Sequence, residues 1–320
     1  MKRAGLLGAL MAVGAVAIGI RVAQGHGAQA PPPSAAAIQV DKVRDNLYVL
    51  RGGGGNTAAF ISAGGVVLVD TKFPGWGQPI VEKLKELTDK PVTTIVSTHT
   101  HFDHVGGNPE FAPTVEVVAH ENTAKLMEEM RPVTGGPKQP DLFKESGGRG
   151  LPKRTFTDRM TLGAGDDRIE LYYFGRAHTG GDAWVVFPTL RVMHTGDAYS
   201  GKGIPIIDAS NGGSGVEYPV VLSKAAALPG IDTLVTGHHQ TTLTMADLEI
   251  HAEFIREFVQ AVQAAKKAGK TIDAVVDGWS MPKRLLEQGY MTPEEYQRLA
   301  RQPMTARIRA NAEVIWNETK

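Results

Sequence analysis

The chain reads as an α/β protein, and three observations carry that reading. Short β-branched runs such as Val92-Thr93-Thr94-Ile95-Val96 and Val115-Glu116-Val117-Val118-Ala119 alternate with amphipathic helical stretches. A strand-rich block followed by a helix occurs twice, which fits two half-sheets with helices outside them. Residues that can do chemistry crowd directly after strand runs, where α/β proteins place their ligand-binding groups. At 320 residues one large domain is the default for such a fold. The 34 basic and 34 acidic residues cancel, so no global field favours nucleic acid or an anionic membrane, and neither is expected as a partner. Cysteine is absent, which removes disulfides, thiolate nucleophiles and thiolate metal ligands together. Any metal ion must be held by His, Asp or Glu.

In chain order, Lys2-Arg3, an apolar run from 6 to 20 and the small residues Ala28-Gln29-Ala30 have the layout of a secretory signal peptide over 1–30. The run falls short of the roughly 20 apolar residues a membrane span needs, so cleavage after Ala30, an extended Pro/Ala-rich tether over 31–37, and a periplasmic or secreted location without stable membrane insertion are expected. Residues 38–43 and 47–50 pair as strands across the turn Arg44-Asp45-Asn46. Four glycines at 52–55 leave backbone bare and suit a mobile lip over a pocket as well as a plain turn. Strands are expected at 57–62 and 66–69, and Asp70 follows the second, where the residues alone read it as a turn cap.

Helix 79–87 shows Ile80, Val81, Leu84 and Leu87 at helical spacing and stops at Lys90-Pro91. Next come the strand at 92–96 and the densest stretch of the chain, His99-Thr100-His101-Phe102-Asp103-His104. In extended backbone, residues two apart point the same way, so His99, His101 and Asp103 converge while His104 turns off as the chain bends at Gly106-Gly107. Neutral imidazoles and a carboxylate are ligands for zinc and similar ions, and this spacing suits two adjacent ions. A strand at 115–119, His120 as a structural turn histidine and a helix at 121–130 follow. Residues 131–154, rich in Gly and Pro with Lys138, Lys144 and Arg149, break the rhythm and read as a substrate lid with a basic rim, facing the glycine loop across a cleft. Strands are expected at 168–174, 183–187, 191–194 and 233–235, and the first, third and fourth lead to a further His or Asp: His178, Asp197 and His238. His194 reads as packed, His239 as a contact beside the site and His251 as a surface residue. Thr244 and Asp247 form a capping box opening a helix to Gly269, and Thr292-Pro293-Glu294-Glu295 opens a later one. The main domain is bounded at 38–270, with 271–320 as a helical extension.

The pattern His99, His101, Asp103, His104 resembles the metallo-β-lactamase superfamily, and the similarity extends over most of the chain after residue 38. That resemblance implies a four-layer αββα sandwich of two mixed β-sheets flanked by helices. It also implies a ligand set: His99, His101 and His178 on one ion, Asp103, His104 and His238 on the other, and Asp197 bridging. Together with the signal-peptide layout, the same resemblance implies an exported hydrolase with two Zn2+ (Fe or Mn being the other candidates), in which a metal-bound hydroxide, oriented by Asp103 as the catalytic residue, attacks the carbonyl of a small ester, lactone, thioester or amide, and it makes Asp70 a carboxylate behind the site. The runner-up is a β-lactamase acting on β-lactam antibiotics, and the alternative of another class is a non-catalytic metal-binding accessory protein. Metal stoichiometry together with turnover of a small-molecule substrate separates them.

Overall fold

The computed structural model describes residues 33–300 and 302–320; the expected signal peptide and the start of the tether lie outside them. Residues 39–156 build a seven-stranded sheet in sequential order: β1 (Gln39–Arg44), β2 (Leu47–Arg51), β3 (Thr57–Ser62), β4 (Gly65–Val69), β5 (Val92–Ser97), β6 (Glu116–His120) and β7 (Arg154–Phe156). The first four are antiparallel, and β4 to β7 run parallel. A second sheet holds β8 (Arg159–Leu162), β9 (Ile169–Tyr172), β10 (Trp184–Phe187), β11 (Val192–His194) and β12 (Thr233–Val235), with only β11 and β12 parallel.

The strands that face both layers are β-branched and aliphatic on both faces, as buried parallel strands must be. One face of each sheet meets the other in a shared core of Val49, Phe60, Val69, Val96, Val118, Leu171, Val185, Phe187 and Val235, with the Phe60 and Phe187 rings 5.2 Å apart at its centre. Each such side chain removed from water contributes about 1.5–3 kcal/mol. On the outer face of the first sheet lies α1 (Gly77–Leu84), whose Ile80 and Leu84 pack on Leu68 and Ile95, while α3 (Glu121–Glu129) packs through Met127 on Val105 and Phe143. Outside the second sheet lie α5 (Tyr218–Ala226) and the 23-residue α6 (Met245–Lys267). The result is the expected αββα sandwich. The capping box at Thr244 and Asp247 starts α6 as the sequence predicts.

Three sequence expectations change. Residues 131–154 are not a structureless lid: α4 (Leu142–Glu145), which follows the short α2 (Phe102–Val105), buries Phe143 against Val105, Met127 and Met130. Arg149 lines a small cavity of about 160 Å³ with Ile95, Asn108 and Phe111 rather than any of the site histidines, because Gly150 is tied to Asn108 Nδ2. Ala35–Ala37 form a turn of 3-10 helix instead of continuing an extended tether. The segment after 270, with α7 (Ile272–Asp277), α8 (Lys283–Glu287), α9 (Pro293–Ala300) and α10 (Met304–Glu318), is part of the same body: Leu285, Ile308 and Ile315 share a core with Tyr199, Leu222 and Phe258.

Candidate metal centre

Strand register gathers the site. Val69 of β4 lies beside Val96 of β5, so Asp70 and the stretch from Thr98 to His104 leave the first sheet at one edge. His194 of β11 lies beside Val235 of β12, so Asp197 and His238 leave the second sheet side by side. His178 comes from the loop between β9 and β10. The structure brings the seven expected ligands into adjoining groups: His99, His101, His178 and Asp197 in one, and Asp103, His104 and His238 in the other, the ligand atoms of each within 4.8 Å of one another. Asp197 stands between them, 3.4 Å from His104, 3.2 Å from His238 and 3.9 Å from His178. A further set, Asp70, His99 and His104, also falls within that radius.

Each histidine of the first sheet's edge has one ring nitrogen fixed from behind, which leaves the other free to bind. His104 Nδ1 donates to Asp70 Oδ2 at 2.7 Å. Thr98 Oγ1 gives its own proton to Asp70 at 2.7 Å, so it accepts from His99 Nδ1 at 2.9 Å. Asp70 therefore sets the tautomer of two site histidines, one directly and one through a hydroxyl. It acts behind the site, the role the resemblance implies, and its φ of 63° is a left-handed conformation held by the bonds at Thr98. His101 Nε2 donates to Asp208 Oδ2 at 2.8 Å, and His178 Nδ1 donates to the carbonyl of Ile206 at 2.8 Å. The freed nitrogens of these two rings, His101 Nδ1 and His178 Nε2, stand 3.0 Å apart.

The donor set fits a divalent cation. His99 Nε2 and Asp197 Oδ1 are buried and have no hydrogen-bond partner, a state that costs free energy unless a positive centre meets both. Electrostatics divide the groups. Burial and the neighbouring His104, His101 and His178 push His99 well below the ordinary histidine value, and burial with His101 pulls His178 down to about 4, so both present lone pairs at neutral pH. In the second group, burial again opposes charge, but Asp103, Asp197 and Asp70 outweigh it and raise His104 to about 9. His238 rises well above its ordinary value, with burial overcome by Asp197 and Asp103. Asp103 and Asp197 are held far below the usual carboxylate range, since the facing imidazoles outweigh the cost of burying their charge.

Bare backbone forms two sides of the site. A Cβ on Gly55 would come within 2.3 Å of the His104 ring, and one on Gly237 would come within 1.8 Å of Asp197 Oδ1. The glycine loop is pinned from inside by Lys72, a fully buried amine that donates to Leu50 O at 2.7 Å and Gly55 O at 2.8 Å. Burial lowers the pKa of Lys72 to about 7, against an upward pull from Asp70. Next to Asp103 an aromatic pair is open to solvent: Phe73 is 43 % exposed, with its ring edge-on to Phe102 at 6.4 Å.

The other histidines sort as follows. His194 is packed, with its ring between Asn56 O and Gly196 N. His120 caps α3 and stacks on Tyr173. His239 turns away to Thr241, while its carbonyl accepts from Arg51 and Asn56. His251, expected on the surface, is buried, because its face of α6 turns to Tyr199 and Tyr290. Sequence reasoning missed Asp208, Thr98 and Lys72. Only Lys72 left a trace, as a cation two residues past Asp70 at the exit of β4.

The family described as the metallo-beta-lactamase superfamily matches residues 50–249. Among curated relatives, the chain is 28% identical over 165 residues to the 2,4-dinitroanisole O-demethylase subunit alpha of Nocardioides sp. (strain JS1661), which takes in 50% of this chain and 46% of that protein. It is 25% identical over 171 residues to metallo-beta-lactamase type 2 of Elizabethkingia meningoseptica, 49% of this chain and 60% of that protein. The chain thus spans about half the length of the first relative and less than two thirds of the second. Among solved structures, a metallo-beta-lactamase from Pontibacter korlensis superposes with a TM-score of 0.55 at 20% identity, over 68% of this chain and 99% of that one. The DIM-1 metallo-beta-lactamase does so at 0.53 and 19%, over 69% and 97%.

Proposed function

Because this chain belongs to the metallo-beta-lactamase superfamily, we propose that it is an exported dinuclear zinc hydrolase of small esters, lactones, thioesters or amides. The observation that carries the proposal is the pair of adjoining ligand groups sharing Asp197. When bound, divalent ions supply Lewis acidity and a nucleophile drawn from water at neutral pH.

The chain's own residues do the rest. The buried imidazoles of His99, His101 and His178 exclude water on one side. Asp103, 22% exposed at the mouth and 3.3 Å from His238, is placed to accept a proton from the attacking water. It then returns that proton to the leaving oxygen, sulfur or nitrogen as the bond from the carbonyl carbon breaks. Phe73 and Phe102 offer an apolar face beside Asp103, which favours substrates with an aryl or acyl group. That face, with the name of the Nocardioides relative, adds methyl aryl ethers to the panel; the Elizabethkingia relative keeps β-lactams on it.

The test is elemental analysis of the purified protein together with turnover of a panel of lactones, thioesters, aryl esters, methyl aryl ethers and β-lactams. About two ions per chain, one of them lost in His238→Ala, with ester or lactone turnover, is the expected result. Full activity with one ion overturns the dinuclear centre. Two ions without turnover of any panel member turns the reading to a metal-binding accessory protein. N-terminal sequencing of an envelope fraction checks export: the mature chain should start near residue 31.

A further inference from the structure

The His101 and His178 rings are oriented from a single short segment. Ile206 O receives the His178 Nδ1 proton and Asp208 Oδ2 that of His101 Nε2, each at 2.8 Å, so two site histidines depend on where residues 206–208 sit. This segment has no regular structure of its own to hold it. It is held from the far end of the chain. Asn311, on α10 and 1% exposed, accepts from Ile207 N at 3.2 Å and donates from Nδ2 to Pro205 O at 2.9 Å. Its carboxamide brackets the segment on both sides.

A polar side chain in an apolar core costs stability unless it is fully paired, and its helix neighbours Ile308, Ala312 and Ile315 are apolar and buried. A donor and an acceptor on one short stem match the backbone groups of Pro205 and Ile207, which an aliphatic residue cannot do. Asp208 is fixed from other sides as well, accepting from Thr134 N and Oγ1 and from Asn211 Nδ2. Ile206 O has no such second support, so the clamp bears most directly on His178. Nothing in this network reaches Asp103, His104 or His238.

We propose that Asn311 is a positioning residue for the His99/His101/His178 half of the site, which makes α10, beyond the family match at 50–249, part of the metal-binding apparatus. The inference rests on the reading of the site as a two-ion centre. Outer partners of ligating histidines typically contribute 10–100-fold to metal affinity, and one step further back about tenfold is expected.

The experiment is cobalt(II) titration of the metal-stripped full-length protein, following the visible d–d bands and fitting the two binding events separately. Asn311→Leu keeps the branching of the side chain and removes both bonds; Asn311→Asp keeps the acceptor and loses the donor; Val262→Ala, in the same apolar core on α6, is a stability control. One of the two events should weaken about tenfold in Asn311→Leu and less in Asn311→Asp, with altered bands for that ion alone. Val262→Ala should lower the unfolding temperature and leave both events in place. Unchanged affinities in Asn311→Leu, or equal weakening of both ions in all three variants, overturn the positioning role while leaving the metal centre standing. A wild type that takes up no cobalt overturns the metal centre, and the role of Asn311 with it.

Discussion

The two halves of the site are both built mainly on imidazoles and behave as opposites. The His99/His101/His178 half is buried, each ring is fixed from behind, and His99 and His178 are uncharged at neutral pH. The Asp103/His104/His238 half opens to solvent, with the His238 side chain 41% exposed, and its imidazoles are held protonated by carboxylates. The difference teaches that residue type does not fix a ligand's state. The count of carboxylates facing each ring does: His104 meets Asp70, Asp103 and Asp197, whereas His99 lies chiefly among other imidazoles.

The largest test removes what the halves share. Asp197→Asn should lower turnover on the order of 10³-fold, equivalent to about 4 kcal/mol of barrier, and weaken both ions in a metal titration. Loss of a single ion would mean that the carboxylate serves one half only. Next in size, the outer carboxylates should separate the halves. Asp208→Ala should weaken one ion by about 10–100-fold, and Asp70→Ala should weaken both, because Asp70 supports His104 directly and His99 through Thr98. Equal profiles for the two variants would break the comparison.

A smaller effect is the proton balance of metal uptake. Ligand imidazoles must be neutral, and the carboxylates around His104 raise it to about 9, so at pH 7 the open half should release protons as it fills and its affinity should fall as the pH is lowered. Above about pH 5 the buried half should release none from His99 or His178. Calorimetry in buffers of different ionisation enthalpy resolves the protons released from His104 and His238 as a buffer dependence of the event that fills the open half.

The smallest effect on turnover is expected at Lys72, beneath the glycine loop that borders the open half. Its folded pKa near 7 lies below the 10.5 of a free lysine, so between those values the unfolded chain binds the extra proton and stability rises with pH. Lys72→Met should flatten that rise in thermal melts taken from pH 7 to 10.

Much of this was legible in the sequence because the ligands follow strands whose β-branched runs are hard to misread. His99 to His104, His178, Asp197 and His238 all sit just past β5, β9, β11 and β12. What was not legible acts through space. Asp208 lies 107 positions from His101, in a loop with no periodic pattern, and Asn311 is one polar residue among several on α10, the one that turns to the buried face. His251 looked exposed because the partners that bury it, Tyr199 and Tyr290, come from distant turns. Lys138, Lys144 and Arg149 suggested a basic rim by composition, but local packing around Phe143 and Asn108 decides where that segment lies.

The bare backbone at Gly55 and Gly237 bears on how this protein can change. A Cβ at either position meets His104 or Asp197 well inside contact distance, so two sides of the site are closed to mutation without cost to the metal ligands themselves. New specificity, whether reached by natural drift or by a saturation library, has to be written elsewhere around the mouth. Phe73 is exposed and ligates nothing, so it can vary freely. Active variants selected for a new substrate should concentrate at positions 73 and 102 and leave 55 and 237 as glycine throughout.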